Sequence, residues 1–382
     1  MFVHHYYLVF GCILSLVYGS DEKCLTKKLV TFNTGLQPST VKYYDERREL
    51  LVPALKDLRS DVICLQEVFY GRDVKETVHR LMFTYPYSYS SLHDSHGRLS
   101  YSMMQKAPCQ GTKSMQFLTC FSQKCHPTGQ TLLGLLDCAL KQCKMLELSD
   151  FCITCILVSG PEHISKHCLG PQALQMNIPG LLVLSKRKLW TPKRTPFIHG
   201  VRPFFRREFI TARVQELGEI MCTHLTPAND TIAQVFQSSF FADGETENLF
   251  ETISLLRHIR HEKDILLMGD MNSGPSISSR HIHYVTSASF EQFMKGNLRS
   301  PYAELVGKPT YSPHENTLTS GHDDTSIIDH ILTRGYKILG AKRVLDQLSP
   351  EKEFPLSDHY GAEISVRTNC RSDLKDSEHL ID

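Results

Sequence analysis

The stretch ILLMGDMNSGP, residues 265–275, ends a run of apolar residues with two polar side chains. Asp270 and Asn272 stand two positions apart, and side chains alternate across a β-strand. If the strand continues past Met268, both side chains project from its C-terminal end in the same direction. A carboxylate and a carboxamide placed in this way suit a hard divalent cation or a phosphate oxygen. The alternative is an ordinary turn, because Asp, Asn, Ser, Gly and Pro are the common turn residues.

The composition is that of a globular protein. The chain has 382 residues, of which 41% are hydrophobic and 22% are charged, and it can form one large α/β domain or two smaller ones. Lys and Arg together number 42 and Asp and Glu 41, so the net charge is +1. No overall field therefore directs the chain to DNA or to an anionic membrane, and a nucleic-acid partner would need a local basic patch.

The N-terminus, MFVHHYYLVFGCILSLVYGS, is apolar and is followed by charged residues. It is short for a membrane span, and Val17 and Gly19 fit the small-residue rule for cleavage after Gly19. We therefore expect residues 1–19 to be a secretory signal peptide, with a short membrane anchor as the alternative. The mature protein would be secreted or lie in the endolysosomal lumen. Residues 371–382 form a polar C-terminal tail.

Cysteine usage supports export. Of 13 cysteines, Cys12 leaves with the signal peptide, and the remaining 12 are an even number. The spacing of Cys152 and Cys155 also fits a metal site, but clustered cysteines in an exported chain favour a disulfide framework. We predict a disulfide-rich insert over residues 105–172. Its eight cysteines are Cys109, Cys120, Cys125, Cys138, Cys143, Cys152, Cys155 and Cys168.

The other four cysteines lie outside this insert. Cys24 and Cys370 lie near the two ends of the chain and could link them. Cys64 and Cys222 fall in strand-like runs and are expected to be buried thiols. A glycosylation sequon begins at Asn229, which makes the exported chain a candidate glycoprotein.

Polar residues stand at the ends of six strand-like segments. Strand-like and helix-like segments alternate along the chain, and a buried core has little use for ionisable groups. One site at an edge where the strand ends converge would explain all of these polar residues together. The six places are Asn33, Glu67, His224, Asp270 with Asn272, Asp329, and Asp358 with His359.

The segments TFNTG, LQEVF, THLTP, GDMNSGP, IIDHIL and LSDHY follow one another in this order. Together they resemble the endonuclease/exonuclease/phosphatase superfamily, which includes DNase I, abasic-site endonucleases, inositol polyphosphate 5-phosphatases and sphingomyelinases of the phospholipase C type. The resemblance covers nearly the whole mature chain apart from the insert. It implies an α/β (α+β) fold, a four-layered DNase I-like sandwich of two mixed β-sheets flanked by helices. Residues 20–104 and 173–370 would form this domain.

The resemblance implies a metal site. Glu67 would be the main ligand of a catalytic Mg²⁺, with Mn²⁺ or Ca²⁺ as alternatives. Asn33 would lie beside Glu67 and contact the metal or the phosphate. Asp358 would hold metal on the other flank of the site. No nucleotide cofactor is expected.

The resemblance also implies the catalytic residues. His359 would be the general base, with Asp329 fixing its tautomer and orientation, and His224 would donate to the phosphate as negative charge builds. Asp270 and Asn272 would hold the attacking water and a phosphate oxygen. The chemistry is reasonable, because a cation and a histidine offset the charge of a phosphodiester and a carboxylate-held histidine can accept a proton near neutral pH. The enzyme would hydrolyse a phosphoester by in-line attack of water.

Three features favour a lipid substrate and peripheral membrane contact. The segment REFITARVQ resembles a strand of sphingomyelinases, although Glu208 replaces the glycine of that pattern. Phe204 and Phe205 lie beside basic residues, as in an interfacial loop. The insert also carries leucines at helical spacing, which could rest on a membrane or form the core of the insert. These leucines are Leu132, Leu133, Leu135, Leu136 and Leu140.

The main alternative is a DNase I-like endonuclease acting on nucleic acid. Nucleases of that type carry a second glutamate that pairs with the strand-end histidine, and Glu76 is a poor candidate for this role. Arg206 and Arg207 are expected to be a solvated pair. An inositol polyphosphate phosphatase ranks third because those proteins are usually cytosolic, and a non-catalytic binding protein ranks last. The chain is expected to be a monomer.

Overall fold

The computed structural model describes ten ranges of the chain: residues 25–94, 97–99, 107–125, 132–169, 173, 175–198, 206–228, 241–319, 325–348 and 353–368. Some sequence predictions concern positions outside these ranges. They are the signal peptide, Cys24 with Cys370, the sequon at Asn229, Phe204 with Phe205, and the tail 371–382.

The described residues form eleven strands and nine α-helices. The strands are β1 (Thr26–Asn33), β2 (Val62–Gln66), β3 (Tyr87–Ser90), β4 (Leu182–Ser185), β5 (Leu189–Pro196), β6 (Glu208–Val214), β7 (Gly218–His224), β8 (Ile265–Asp270), β9 (Asp329–Arg334), β10 (Lys337–Val344) and β11 (Gly361–Arg367). The helices are α1 (Tyr44–Leu58), α2 (Gly71–Leu81), α3 (Gly111–Lys124), α4 (Leu132–Cys143), α5 (Asp150–Ser159), α6 (Ile164–Cys168), α7 (Gly244–His258), α8 (Ser287–Lys295) and α9 (Pro301–Leu305).

The strands form two mixed sheets. The first has the order β10-β11-β1-β2-β4-β3, and the second has the order β5-β6-β7-β8-β9. Only the neighbours β1 with β2 and β7 with β8 run parallel among the described pairings; the others are antiparallel. The predicted architecture of two mixed sheets flanked by helices is therefore confirmed.

Alternation along the strands produces four layers. Leu29 of β1 and Leu266 of β8 point into the core between the sheets. Their neighbours point outward, so that Val30 packs in the cluster that includes residues of α1, and Leu267 packs in the cluster that includes residues of α7 and α8. β1 and β8 are thus apolar on both faces, which explains the hydrophobic runs in their sequences.

A disulfide joins the two sheets through their shared core. Cys64 of β2 and Cys222 of β7 are bonded to each other, with side chains that are buried between the sheets. The two cysteines are buried, as predicted, but the prediction that they are free thiols is wrong. This pairing could not be predicted, because the two cysteines lie 158 residues apart and meet only when the two sheets pack.

The cysteine-rich insert is a disulfide framework, as expected. Its eight cysteines pair among themselves, and Cys152 and Cys155 belong to different disulfides, which excludes the CxxC metal site. Two of the bonds connect α3 to α4 as a helical hairpin. The four pairs are Cys109–Cys152, Cys120–Cys143, Cys125–Cys138 and Cys155–Cys168.

The insert packs onto the sandwich rather than standing apart from it. Its apolar side chains belong to the same cluster as the outward-facing residues of β1 and β2. The Tyr70 hydroxyl lies 2.8 Å from Ser159 Oγ, and the Ser39 N–H donates to the Val158 carbonyl at 3.1 Å. The insert therefore helps to cover the first sheet.

The leucines of α4 that the structure describes in detail serve the core of the insert. Leu135 and Leu136 are buried, and Leu140 is partly buried against the same cluster. Of the two sequence interpretations, the core explains these three side chains. Within the described residues, we find no helix with the length and apolarity needed to cross a bilayer.

Candidate active site

Strand register brings the polar strand ends to one edge of the sandwich. Asn33 pairs with Gln66 at the end of the parallel β1–β2 ladder, which places Glu67 next to it. In the second sheet, Asp270 is the partner of His224 on one side and of Asp329 on the other. These strand ends therefore converge at one edge, as expected from the sequence, and both sheets contribute to it.

Asn33 lies at the centre of this site and is buried. Its Nδ2 group donates to Glu67 Oε1 at 3.2 Å and to Asp270 Oδ2 at 3.0 Å, and it lies 3.5 Å from His359 Nε2. One carboxamide therefore links a residue after β2, the end of β8 and the segment before β11. These contacts fix the mutual positions of four of the predicted site residues.

His359 and Asp329 form the expected pair. His359 Nδ1 lies 2.9 Å from Asp329 Oδ2, and both side chains are buried. A carboxylate accepts only, so Nδ1 carries the proton and donates it. The start of β9 is held by Thr310, whose Oγ1 accepts from the Asp329 N–H at 3.1 Å. His359 Nε2 is left facing Asn33 and Asp270, where a proton can be exchanged.

The carboxylates of the site repel one another. Burial and the charge of Asp358 raise the pKa of Glu67 to about 7, although His359 and the Asn33 hydrogen bond oppose them. Burial and the charge of Asp329 likewise raise the pKa of Asp270 to about 6. Burial disfavours the His359 cation, but Asp329, Asp358 and Asp270 outweigh it and hold the His359 pKa well above its ordinary value. The site therefore attracts positive charge.

His224 lies at the end of β7 and remains neutral. Burial, together with the positive charges of Arg207 and His359, holds its pKa well below the ordinary value. Its Nε2 atom is 3.5 Å from Asp270 Oδ2, and its buried Nδ1 atom has no hydrogen-bond partner among the described residues. A neutral ring with the proton on Nε2 accounts for both observations. That N–H can donate toward an anionic group in the site.

Asn272 is placed differently from the simplest expectation. The strand ends at Asp270, and Asn272 has a φ of 46°, so the extended alternation does not continue. Instead the Asn272 N–H donates to Asp270 Oδ1 at 2.9 Å, as in an Asx-turn, and its Nδ2 donates to the Leu225 carbonyl at 2.8 Å. Asn272 therefore fixes the Asp270 carboxylate and ties β8 to the loop after β7. Its contact with substrate remains a prediction.

Asp358 lies against the turn that follows β1. Ser357 Oγ lies 3.0 Å from Asp358 Oδ1 and 2.7 Å from the Asn33 carbonyl, so its one proton is shared between two acceptors. Gly35 has a φ of 54°, and a Cβ placed there would lie 2.4 Å from Asp358 Oδ1. Only glycine allows this close approach without strain. Gly35 and Ser357 are thus site-supporting residues that the sequence analysis missed.

The oxygen donors of the site suit a hard divalent cation. Glu67 and Asp358 are carboxylates whose mutual repulsion a cation would relieve, and Mg²⁺, Mn²⁺ and Ca²⁺ all prefer such oxygen ligands. A second group, Asp270, Asp329 and His359, offers atoms within 4.8 Å of one another. Because His359 and Asp329 are hydrogen-bonded together there, that group fits acid–base chemistry better. Of the predicted metal set, Glu67 and Asp358 offer carboxylate oxygens, whereas Asn33 presents Nδ2 to the site and its Oδ1 accepts from the Gly35 N–H at 3.1 Å, so direct ligation by Asn33 remains a prediction.

Helix α7 carries two buried polar residues that support the site and that were not identified from the sequence. Asn248 Nδ2 donates to the Thr226 carbonyl at 2.6 Å and to the Met271 carbonyl at 3.0 Å. Glu251 accepts from the Thr226 N–H at 2.8 Å and from its hydroxyl at 3.0 Å. These bonds hold the loops that follow His224 and Asp270. Their spacing of three on one helix face was the available signal.

The two arginines before β6 differ from each other. Arg206 is exposed and forms an ion pair with Glu208 at 3.0 Å, as expected for a solvated residue. Arg207 is half-buried and close enough to His224 and Glu251 to influence the pKa of both. The expectation of a solvated pair therefore fits Arg206, whereas Arg207 is solvated only in part.

Comparison with known proteins agrees with this geometry. The model of the Endonuclease/Exonuclease/phosphatase family matches residues 30–359. A solved endonuclease/exonuclease/phosphatase from Beutenbergia cavernae DSM 12333 is 14% identical, with a TM-score of 0.52 and coverage of 90% of this chain and 72% of its own. Among the curated proteins, none is significantly similar to this chain.

Two further solved structures have the same fold. TDP2 from D. rerio, complexed with single strand DNA product, is 12% identical, with a TM-score of 0.51 and coverage of 90% of this chain and 99% of its own. Beta toxin from Staphylococcus aureus is also 12% identical, with a TM-score of 0.51 and coverage of 88% and 99%. At these identities the likeness is one of fold.

Proposed function

The chain belongs to the endonuclease/exonuclease/phosphatase family, and on that premise we propose that it is a secreted, Mg²⁺-dependent phosphodiesterase. Members of the family are hydrolases that act on phosphoesters. The observation that carries the proposal is the contact of His359 with Asp329 on one side and with Asn33 on the other. This arrangement orients a basic nitrogen toward a cluster of oxygen ligands.

We assign each site residue a separate role in hydrolysis. Glu67 and Asp358 would hold Mg²⁺, with Asn33 beside them, and the bound cation would offset phosphate charge and lower the pKa of nearby water. His359 Nε2 accepts the proton of the attacking water, because Asp329 holds the ring in the required tautomer. The His224 Nε2–H donates to a phosphate oxygen as negative charge develops. Asp270, whose carboxylate is fixed by the Asn272 N–H, and Asn272 would hold the attacking water and a phosphate oxygen.

We favour a sphingomyelinase-like activity of the phospholipase C type. Within the described residues, His224 Nδ1 has no glutamate partner of the kind that DNase I-like nucleases use. Glu76 instead pairs with Arg48 and with Arg80, the latter at 3.0 Å, on the surface of α2. The sphingomyelinase-like REFITARVQ segment forms β6, next to the strand that carries His224.

A DNase I-like endonuclease is the second candidate. One of the structures with the same fold is a complex with single strand DNA product, and the equal TM-scores of TDP2 and beta toxin do not discriminate between substrates. Arg207 beside His224 is a cation that could contact a nucleic-acid phosphate as well as a lipid phosphate.

Five disulfides support the proposed location outside the cytosol. They occur in both the sandwich and the insert among the described residues. Such bonds persist in oxidising compartments, which include the extracellular space. A secreted or endolysosomal protein is therefore the proposal that fits both the disulfides and the apolar N-terminus.

Parallel assays test the substrate. The purified protein with Mg²⁺ is offered sphingomyelin in mixed micelles and, separately, plasmid DNA, with His359→Ala as the control. We expect phosphocholine release by the wild type and its loss in the variant. Strand nicking without phosphocholine release would replace the lipid substrate by nucleic acid. No turnover of either substrate would contradict both candidate functions.

A further inference from the structure

We propose that Arg47 of α1 is a positioning residue that sets the distance between the two flanks of the metal site. One flank is Asn33 with the turn that follows β1, and the other is the segment of residues 356–359. The inference rests on the proposed metal-dependent function, because it assigns Arg47 to the construction of that site.

The Arg47 side chain is fully buried, and it donates five hydrogen bonds to backbone carbonyls of surrounding loops. Nε donates to Lys42 at 2.8 Å; Nη1 donates to Thr34 at 2.9 Å and to Leu356 at 3.2 Å; Nη2 donates to Gly35 at 2.6 Å and to Val41 at 3.4 Å. The planar guanidinium thus holds three separate loop segments at once.

These acceptors stand next to the site residues. Thr34 and Gly35 directly follow Asn33, and Leu356 lies two residues before Asp358. The same two segments meet again where Ser357 Oγ donates to the Asn33 carbonyl at 2.7 Å. Arg47 therefore joins the backbone on both flanks.

Burial lowers the pKa of Arg47, and the carboxylates that oppose this most belong to the site rather than to an ion-pair partner. Among the described residues, no Asp or Glu forms an ion pair with it. The acidic groups that act on it most strongly are Asp358 and Glu67. A buried cation paired only with carbonyl oxygens costs free energy unless nearby anions offset it. A buried cation close enough to interact with two candidate metal ligands points to a role in building the site.

Lysine cannot reproduce this arrangement. An ammonium group keeps the charge but offers three donors from one point, whereas the Arg47 fork supplies bonds in five directions. Arg47→Lys should therefore let the two flanks separate. The affinity for Mg²⁺ should fall by about 10–100-fold, the size of effect seen when residues that support metal ligands are removed.

Arg334 provides a matched control. Its guanidinium also donates to three backbone carbonyls, of Gly296, Ile259 and Glu262, at 2.6–3.0 Å. It lies at the far end of β9 from Asp329. Arg334→Lys should therefore destabilise the fold in a similar way while leaving Mg²⁺ binding unchanged.

The test measures Mg²⁺ binding by calorimetry and by the Mg²⁺-induced rise in Tm, with urea unfolding as the measure of stability. We expect wild type and Arg334→Lys to bind Mg²⁺ equally, and Arg47→Lys to bind it about 10–100-fold more weakly. Equal Mg²⁺ binding by Arg47→Lys and Arg334→Lys would overturn the inference and leave Arg47 a residue of the fold alone.

A milder variant covers the case in which Arg47→Lys does not fold. Ser357→Ala removes one hydrogen bond between the same two flanks, and we expect weaker Mg²⁺ binding by the folded variant. Unchanged binding would contradict the inference. Failure of the wild type to bind Mg²⁺ would be a different result, since it would contradict the proposed function itself and the Arg47 inference with it.

Discussion

Cys64 and Cys222 form a disulfide across the interior of the sandwich, three residues before Glu67 and two residues before His224. The bond therefore connects the two sheets close to the edge where the site residues meet. Because it closes a loop of about 158 residues, it restricts the unfolded chain strongly.

Removal of this disulfide should destabilise the protein. We expect Cys64→Ala/Cys222→Ala to lower the free energy of unfolding by about 2–5 kcal/mol, as measured by urea denaturation. The matched variant Cys120→Ala/Cys143→Ala removes a bond that closes only 23 residues, and it should cost less. Equal unfolding midpoints for the wild type and the Cys64/Cys222 variant would contradict the prediction.

The carboxylate of Asp329 should be needed for turnover. Asp329→Asn keeps the shape but loses the charge that orients His359, and we expect kcat to fall by about 10²–10⁴-fold. Asp329 raises the pKa of His359, so its removal lowers that pKa. A base acts when deprotonated, and the acid limb of the pH–rate profile should therefore move to lower pH. An unchanged profile with normal kcat would exclude the assigned role.

Glu67 should govern the metal requirement. Glu67→Gln removes the charge of the main candidate ligand, and we expect the Mg²⁺ concentration for half-maximal activity to rise at least about tenfold. Glu363→Gln is a suitable control, because Glu363 is a buried carboxylate of β11 whose partner is Lys342 at 3.3 Å. A Glu67→Gln protein with the Mg²⁺ response of the control would refute the assignment.

His93 should make the fold sensitive to acid. The Ser90 N–H donates to His93 Nδ1 at 3.0 Å, which requires an unprotonated nitrogen, and burial lowers the His93 pKa to about 4. The lowered pKa means that stability is fully present above pH 6.5 and is lost as the pH falls toward 4. The contribution is at most about 3 kcal/mol.

Urea unfolding at several pH values tests this contribution. We expect His93→Gln to lose less stability than the wild type between pH 7 and pH 4.5, because glutamine does not titrate. The wild type and the variant would show the same pH dependence if His93 contributed nothing.

The sequence predicted the parts of the fold that depend on strong local patterns. The core strands β1, β2, β7 and β8 contain short apolar runs, and each strand ends at or just before a predicted site residue. The edge strand β10 was not identified, because most of its side chains are partly or fully exposed and its sequence lacks an apolar face. The six polar strand ends were found because ionisable residues after apolar runs are conspicuous.

The supporting residues could not be predicted because their burial depends on distant segments. Arg47 lies between charged neighbours in α1 and looks like part of a solvated helix face, yet it is fully buried. Asn248 and Glu251 in α7 share one helix face, but the sequence alone does not show that this face is buried. Cys64 and Cys222 needed the packing of two sheets before their pairing could be seen.

The most direct test of the central claim, a metal-dependent phosphodiesterase site around His359, is turnover measured with and without metal. The preferred substrate from the parallel assays is incubated with wild type and His359→Ala, first in chelator and then in excess Mg²⁺. We predict that chelator abolishes wild-type turnover, that Mg²⁺ restores it, and that His359→Ala stays inactive in both conditions. Wild-type turnover that persists in chelator, or a near-normal rate in His359→Ala, would contradict the account.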